Sequence, residues 1–181
     1  IMTKHLVALS ALIWLALVPV SAQAQNTNIV ICFPGTTGIT GNVTLEGFAG
    51  CIGALSASFE VTTPAPADTG GARASRPTFS AFQFTKPLDS ASPAIFLNTV
   101  TGTRLPVVQV HYLQVGETVT EVAGTTLRDV LFVGVKQQAS DTGQPTEQVS
   151  LSSNQVCVSS GGTDGCFDVA AGTVVAAQPV Q

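Results

Sequence analysis

A mainly β fold, a barrel or sandwich carrying a single short helix, is what the pattern of this chain predicts. Three observations carry it. Short apolar–polar alternations recur along residues 29–158, glycine, proline or aspartate clusters separate them, and only residues 93–101 have a helical start, face and stop. A period of two puts successive side chains on opposite faces of a strand, and several such strands with turn signals between them argue an all-β architecture.

The elements follow in order. Residues 29–33 (IVICF) read as a short apolar strand and residues 34–41 (PGTTGITG) as a turn-rich connector. A second strand is expected at 43–46, with a loop at 47–53. Leu55, Ala57, Phe59 and Val61 then alternate with Ser56, Ser58 and Glu60, a single half-buried strand. Residues 62–77 have no periodicity and read as a surface loop. In the strand at 78–85, Phe82 and Phe84 alternate with Gln83 and Thr85. Pro87 ends it because proline has no N–H to give a ladder. Ser92 before Pro93 is the expected helix N-cap, since serine accepts from orphan N–H groups and proline is preformed for the first helical position. Ala94, Ile95, Phe96, Leu97 and Val100 supply the apolar side of the helix over 93–101, with Phe96 and Leu97 expected to be buried. Gly102 supplies a left-handed stop. Further strands are expected at 107–115, 118–122, 127–135 and 149–158. The apolar face of 127–135 is read as Leu127, Leu131, Val133 and Val135. The tail from Phe167 reads either as one last strand or as free chain.

Ahead of this region, Thr3, Lys4 and His5 lead an apolar run from Leu6 to Val18, followed by Pro19 and Ala22-Gln23-Ala24. A positive start, an apolar stretch and an A-x-A site make a cleavable export signal. The run to Val20 is shorter than the roughly 20 residues a spanning helix needs. The expectation is cleavage after Ala24 and a secreted or periplasmic product with no membrane contact. The 181 residues less 24 leave 157, one domain's worth. Removing Lys4 from seven basic residues leaves six against eleven acidic ones, a net charge of −5. Those charges are few and scattered, so nucleic-acid binding has no electrostatic footprint.

Four cysteines lie in the exported part: Cys32, Cys51, Cys157 and Cys166. An even count in an oxidising compartment reads as disulfides. The favoured pairs are Cys157–Cys166, which bracket the glycine-rich VSSGGTDG, and Cys32–Cys51. Each closure is worth roughly 3 kcal/mol on the chain-entropy account. The absence of any C-x-x-C spacing argues against a structural zinc.

The remaining chemistry is thin. Two Asp-Thr-Gly triplets, at 68–70 and 141–143, invite comparison with a carboxylate dyad sharing one proton. Their flanks, PAPA and QQAS, are soft loop sequence rather than burying strands, and turn aspartates that bond their own backbone are the simpler reading. His111, the one histidine after cleavage, stands mid-strand with no G-x-S-x-G elbow to serve. PGTTGITG lacks the Gly-Lys-Ser/Thr ending of a phosphate cradle. Asn42-Val43-Thr44 is a glycosylation sequon to which no weight attaches. No enzyme activity, metal or cofactor is expected.

One segment is more specific. Phe84, Thr85, Lys86, Asp89, Ser92, Pro93 and Gly102 stand in an order that resembles the haemolysin-coregulated protein (Hcp) family, the inner tube of type VI secretion systems. In that family a strand ending in Phe-Thr-Lys precedes an aspartate, a serine or threonine, a proline and a short helix. The likeness continues through 105–115 and 126–135, the turn at 141–143, and a strand that begins with Glu147 and runs to Val158. Upstream, 43–47 and 52–61 look like the two opening strands.

The resemblance implies an Hcp-like β-barrel of two sheets at 42–158 with one short helix on its side. The signal at 1–24, an extension at 25–41 and a hairpin loop and tail at 159–181 surround it. It also implies six subunits closing into a ring, rings stacking into a tube with a wide lumen, and effectors carried inside. Three departures stand out: an export signal, cysteines able to pair, and only residues 47–53 in place of the family's long stacking loop. The expected function is therefore an exported structural protein that self-assembles into rings or tubes. Its partners are copies of itself and an effector or other exported protein. The alternative is a monomeric exported binding module on the same fold.

Overall fold

The computed structural model describes residues 27–64 and 76–179, so the expected signal at 1–24 and Asp68 lie outside the described residues. Among the described residues eleven strands and one helix follow in order. They are β1 (Thr27–Cys32), β2 (Ile52–Ala54), β3 (Ser56–Ser58), β4 (Val61–Thr62), β5 (Thr78–Phe79) and β6 (Phe82–Pro87). After these come α1 (Ser92–Thr101), β7 (Arg104–Val115), β8 (Val119–Ser140), β9 (Gly143–Ser160), β10 (Thr163–Asp168) and β11 (Thr173–Val175). Nine strands share one sheet, and β4 with β5 forms a second, two-stranded one. The mainly β class with two sheets and one helix is thus what the described residues adopt.

The large sheet returns on itself. β1 pairs with β2 and β7, β7 with β8, β8 with β9, β9 with β6, and β6 with β3, all antiparallel. Only Leu55 separates β2 from β3, and its N–H donates to the Thr85 carbonyl at 2.7 Å. The hydrogen-bonded path therefore runs as a six-membered circuit, with β2 and β3 acting as one broken strand. Along β9, residues 146–151 serve β6 while residues 155–160 serve β10, so β10 and β11 continue the sheet outside that circuit. The interior is filled by Ile31, Phe84, Val108, Leu127, Phe132, Val149 and Leu151 among others, with Phe33 stacked on Phe132 at 6.0 Å between ring centroids.

Several expected elements differ. Residues 43–46 form no strand. Gly38, Gly47 and Gly50 adopt left-handed backbone angles, and the segment ties to itself instead, Gly41 N–H to Gly50 O at 2.8 Å and Gly50 N–H to Val43 O at 2.9 Å. The first two strands are therefore β1 and β2, and the connection between them is all of residues 33–51, not 47–53. The single strand expected from Leu55 to Val61 is broken into pieces, and 78–85 divides at Ser80 and Ala81. The strands at 118–122 and 127–135 merge into β8, because Gly124 stays extended between His111 of β7 and Ser159 of β9.

The face expected for residues 127–135 holds only at its ends, where Leu127 is buried and Val135 packs against the core. Leu127 points inward, but the next core residues are Val130 and Phe132, while Val133 sits outward in a bulge at 49% exposure. Neighbouring strands change phase at the same level, from Leu105 to Val108 on β7 and from Leu151 to Val156 on β9. At the centre is Asp129, the one non-glycine residue with positive φ (52°) among the described residues. Arg104 holds its carboxylate at 3.0 Å, and Asn154 Nδ2 donates to it from the other side. A left-handed residue turns the strand over, and its side chain is anchored by both flanking strands.

Candidate functional site

Three residues of the specific segment, Lys86, Asp89 and Ser92, converge with Glu147 on one buried cluster. Lys86 and Glu147 are direct cross-strand partners of β6 and β9, and both side chains have 0% exposure. Lys86 Nζ lies 2.9 Å from Glu147 Oε1, 2.7 Å from Asp89 Oδ1, 3.1 Å from Ser92 Oγ and 2.8 Å from the Pro87 carbonyl. Ser92 Oγ donates to Glu147 Oε1 at 2.8 Å and accepts the Asp89 N–H at 3.1 Å. Gln137 Nε2 reaches Glu147 Oε2 at 3.3 Å. A buried ammonium needs such partners, because leaving one unpaired costs several kcal/mol.

This geometry corrects the role given to Ser92. The N-cap is Ala91, with no side-chain cap bond, and Ser92 is already the first helical residue. Its hydroxyl is spent on the ion pair instead. Asp89 Oδ1 accepts the Ala91 N–H at 2.9 Å, so the turn before the helix is closed by the aspartate. Gly102 does end the helix, left-handed at φ 63°. The cluster is a clasp between helix and barrel: its polar atoms are spent on one another, and Asp89, Ser92 and Gln137 line the floor of an open surface pocket beside Phe96.

The helix itself buries a narrow strip. Ala91 and Ile95 enter the core at 0% exposure and α1 packs against β8. Phe96 and Leu97, expected inside, stand 53% and 57% exposed, and Val100 62%. Only positions three to four apart share a helix face, so a strip through Ala91 and Ile95 turns 96, 97 and 100 outward.

A second feature is the β1–β2 connection. The sulfurs of Cys32 and Cys51 lie 2.01 Å apart at its two roots. Ile39 is buried, Ser90 Oγ donates to the Thr40 carbonyl at 2.9 Å, and Phe48 sets its ring edge to His111 at 4.9 Å. The segment is folded down on its own barrel. On β9 and β10 the sulfurs of Cys157 and Cys166, direct register partners, are 2.11 Å apart.

The residues considered for catalysis are dispersed. His111 Nδ1 lies 2.9 Å from Glu121 Oε1, and among the described residues no serine hydroxyl bonds its ring. Asp141 is exposed in the β8–β9 turn. Gly35 and Gly38 are left-handed turn residues in the connection, and Asn42 is exposed there. Among the described residues no group of three His, Cys, Asp or Glu could hold a metal, and no helix is long and apolar enough to cross a membrane.

Comparison with known proteins agrees with this architecture. No curated protein matches the chain. Solved structures do. Hcp1 of Salmonella typhimurium aligns at 19% identity over 82% of this chain and 99% of that one, with a TM-score of 0.70. The Hcp1 protein of E. coli EAEC 042 aligns at 21% over 79% and 98%, TM-score 0.66. The secreted protein Hcp3 of Pseudomonas aeruginosa aligns at 21% over 79% and 98%, TM-score 0.63. At these identities the likeness establishes the fold. The family model described as "Type VI secretion system effector, Hcp" matches residues 33–159. The chain belongs to that Hcp family, whose members are secreted structural tube proteins and not enzymes.

Proposed function

We propose that the mature chain is an exported structural protein that assembles with copies of itself into rings of six, able to stack into tubes. The observation that carries the reading is the family match over residues 33–159, on a barrel whose helix clasp is built from Lys86, Asp89, Ser92 and Glu147, residues that also carry the resemblance in the sequence. A ring requires two different complementary surfaces on each subunit, a heterologous contact that closes on itself. A surface with few charges offers little repulsion to such packing. An effector or other exported protein is the expected cargo or partner. Electron microscopy and light scattering of protein starting at Gln25, over a wide concentration range, test the reading. Rings are expected; a monomer throughout would leave the binding-module alternative in its place.

Export is the second part of the proposal. The Ala22-Gln23-Ala24 site ends a signal at 1–24, and both cysteine pairs lie beyond it at bonding distance. In a secreted or periplasmic product Cys32–Cys51 and Cys157–Cys166 are then disulfides, persisting where thiols are not kept reduced. Mass spectrometry of the exported protein should give an N-terminus at Gln25, and non-reducing peptide maps should show these two pairs alone. Free alkylation of any of the four cysteines in the native protein would contradict the oxidised assignment.

A further inference from the structure

We propose that the outward face of α1 docks on the β2/β3 wall, centred on Leu55, of a second copy of this chain. The inference rests on the self-assembly reading and names the surfaces that perform it. The helix face exposes Phe96, Leu97 and Val100, each more than half accessible, and α1 contains no charged residue. On the other surface Leu55 is 62% exposed, and residues 52–58 (IGALSAS) are likewise uncharged. Interface centres are depleted of charge and rich in large apolar anchors, and both patches have that chemistry.

Topology supplies the occupant. α1 packs against β8. In the six-membered circuit, β8 and the β2/β3 wall are three strands apart by either route, through β9 and β6 or through β7 and β1. The strand that α1 packs on and the strand that carries Leu55 therefore hold opposite places in the circuit, and since both patches are exposed in the single subunit, its own helix does not cover its own Leu55. A second copy can. It leaves its own second patch free for a third, and repetition of an unlike pair of surfaces is what generates a ring when the rotation closes. A twofold helix-to-helix contact would stop at two copies and leave Leu55 open.

The test uses the mature protein and two variants, Phe96→Glu/Leu97→Glu and Leu55→Glu. All three positions face solvent in the subunit, so unfolding midpoints should match the parent; serine replacements give a milder second pair. Each variant should raise the concentration for half-assembly by roughly 30-fold or more, as loss of an interface anchor does. Mixed one to one, the two variants should form heterodimers and nothing larger, because one intact helix face meets one intact Leu55 wall. Parent rings with Leu55→Glu assembling normally would overturn this contact while leaving self-assembly standing. Parent protein that stays monomeric would overturn both.

Discussion

Glu147→Ala should destabilise the folded subunit by about 3–5 kcal/mol, the scale for removing one partner of a buried ion pair. Lys86 would then keep only Asp89 as a counter-charge while remaining fully enclosed. Ser92 Oγ would lose its acceptor, and Gln137 its contact. Lys86→Ala should cost as much, leaving Glu147 and Asp89 facing each other without a cation. Against a total of 5–15 kcal/mol for a single domain, either loss is a third or more of the stability. The triple variant Lys86→Met/Glu147→Leu/Asp89→Asn removes every charge of the cluster, Asp89 being only 7% exposed, and should lie between neutral and about 1–4 kcal/mol more stable than the parent if Ser92 finds another partner, about 1–3 kcal/mol lower if its hydroxyl is orphaned. Urea midpoints at constant denaturant slope measure all three. A single variant within 0.5 kcal/mol of the parent would mean that the clasp does not hold the helix to the barrel.

The cluster also shows what the sequence makes legible. Phe82, Phe84 and Lys86 share one strand phase, as do Glu147, Val149 and Leu151, and those phases face the interior. A lysine and a glutamate, each on the apolar phase of a strand, signal an internal partner. The alternation past Phe84 on one strand and ahead of Val149 on the other marks both residues. Their pairing is another matter, because 61 residues separate them and only the β6–β9 register brings them together. The strand around Phe84, the helix stop at Gly102 and the strand from Val149 were legible because local chemistry dictates them. The phase change at Asp129 was not, since an aspartate in left-handed backbone leaves no mark in the pattern and depends on Arg104 and Asn154. The strand lost at 43–46 fell to glycines whose angles the tertiary contacts select, and the assembly surfaces depend on which side of α1 meets β8.

Ile95→Ala should cost about 2–5 kcal/mol, while Phe96→Ala should stay within about 0.5 kcal/mol of the parent subunit. The run Ala94-Ile95-Phe96-Leu97 is apolar on every side, so sequence cannot tell which residue faces inward. The fold decides it. Ile95 has no exposure and lies in the core with Phe84 and Phe132, whereas Phe96 stands more than half in solvent. Deleting three buried carbons forfeits their transfer energy and leaves a cavity that β8 cannot close without breaking its ladder with β7 and β9. Deleting an exposed ring forfeits little inside one subunit, since most of it was never removed from water. The contrast is measured by denaturant unfolding at concentrations below assembly, so that interface energy does not enter the midpoint. Equal losses at the two positions would put Phe96 in the core after all and remove the helix face from any contact between copies. A large loss at Ile95 alone, followed by an assembly defect for Phe96→Ala at higher concentration, would separate what folds the subunit from what joins it to the next.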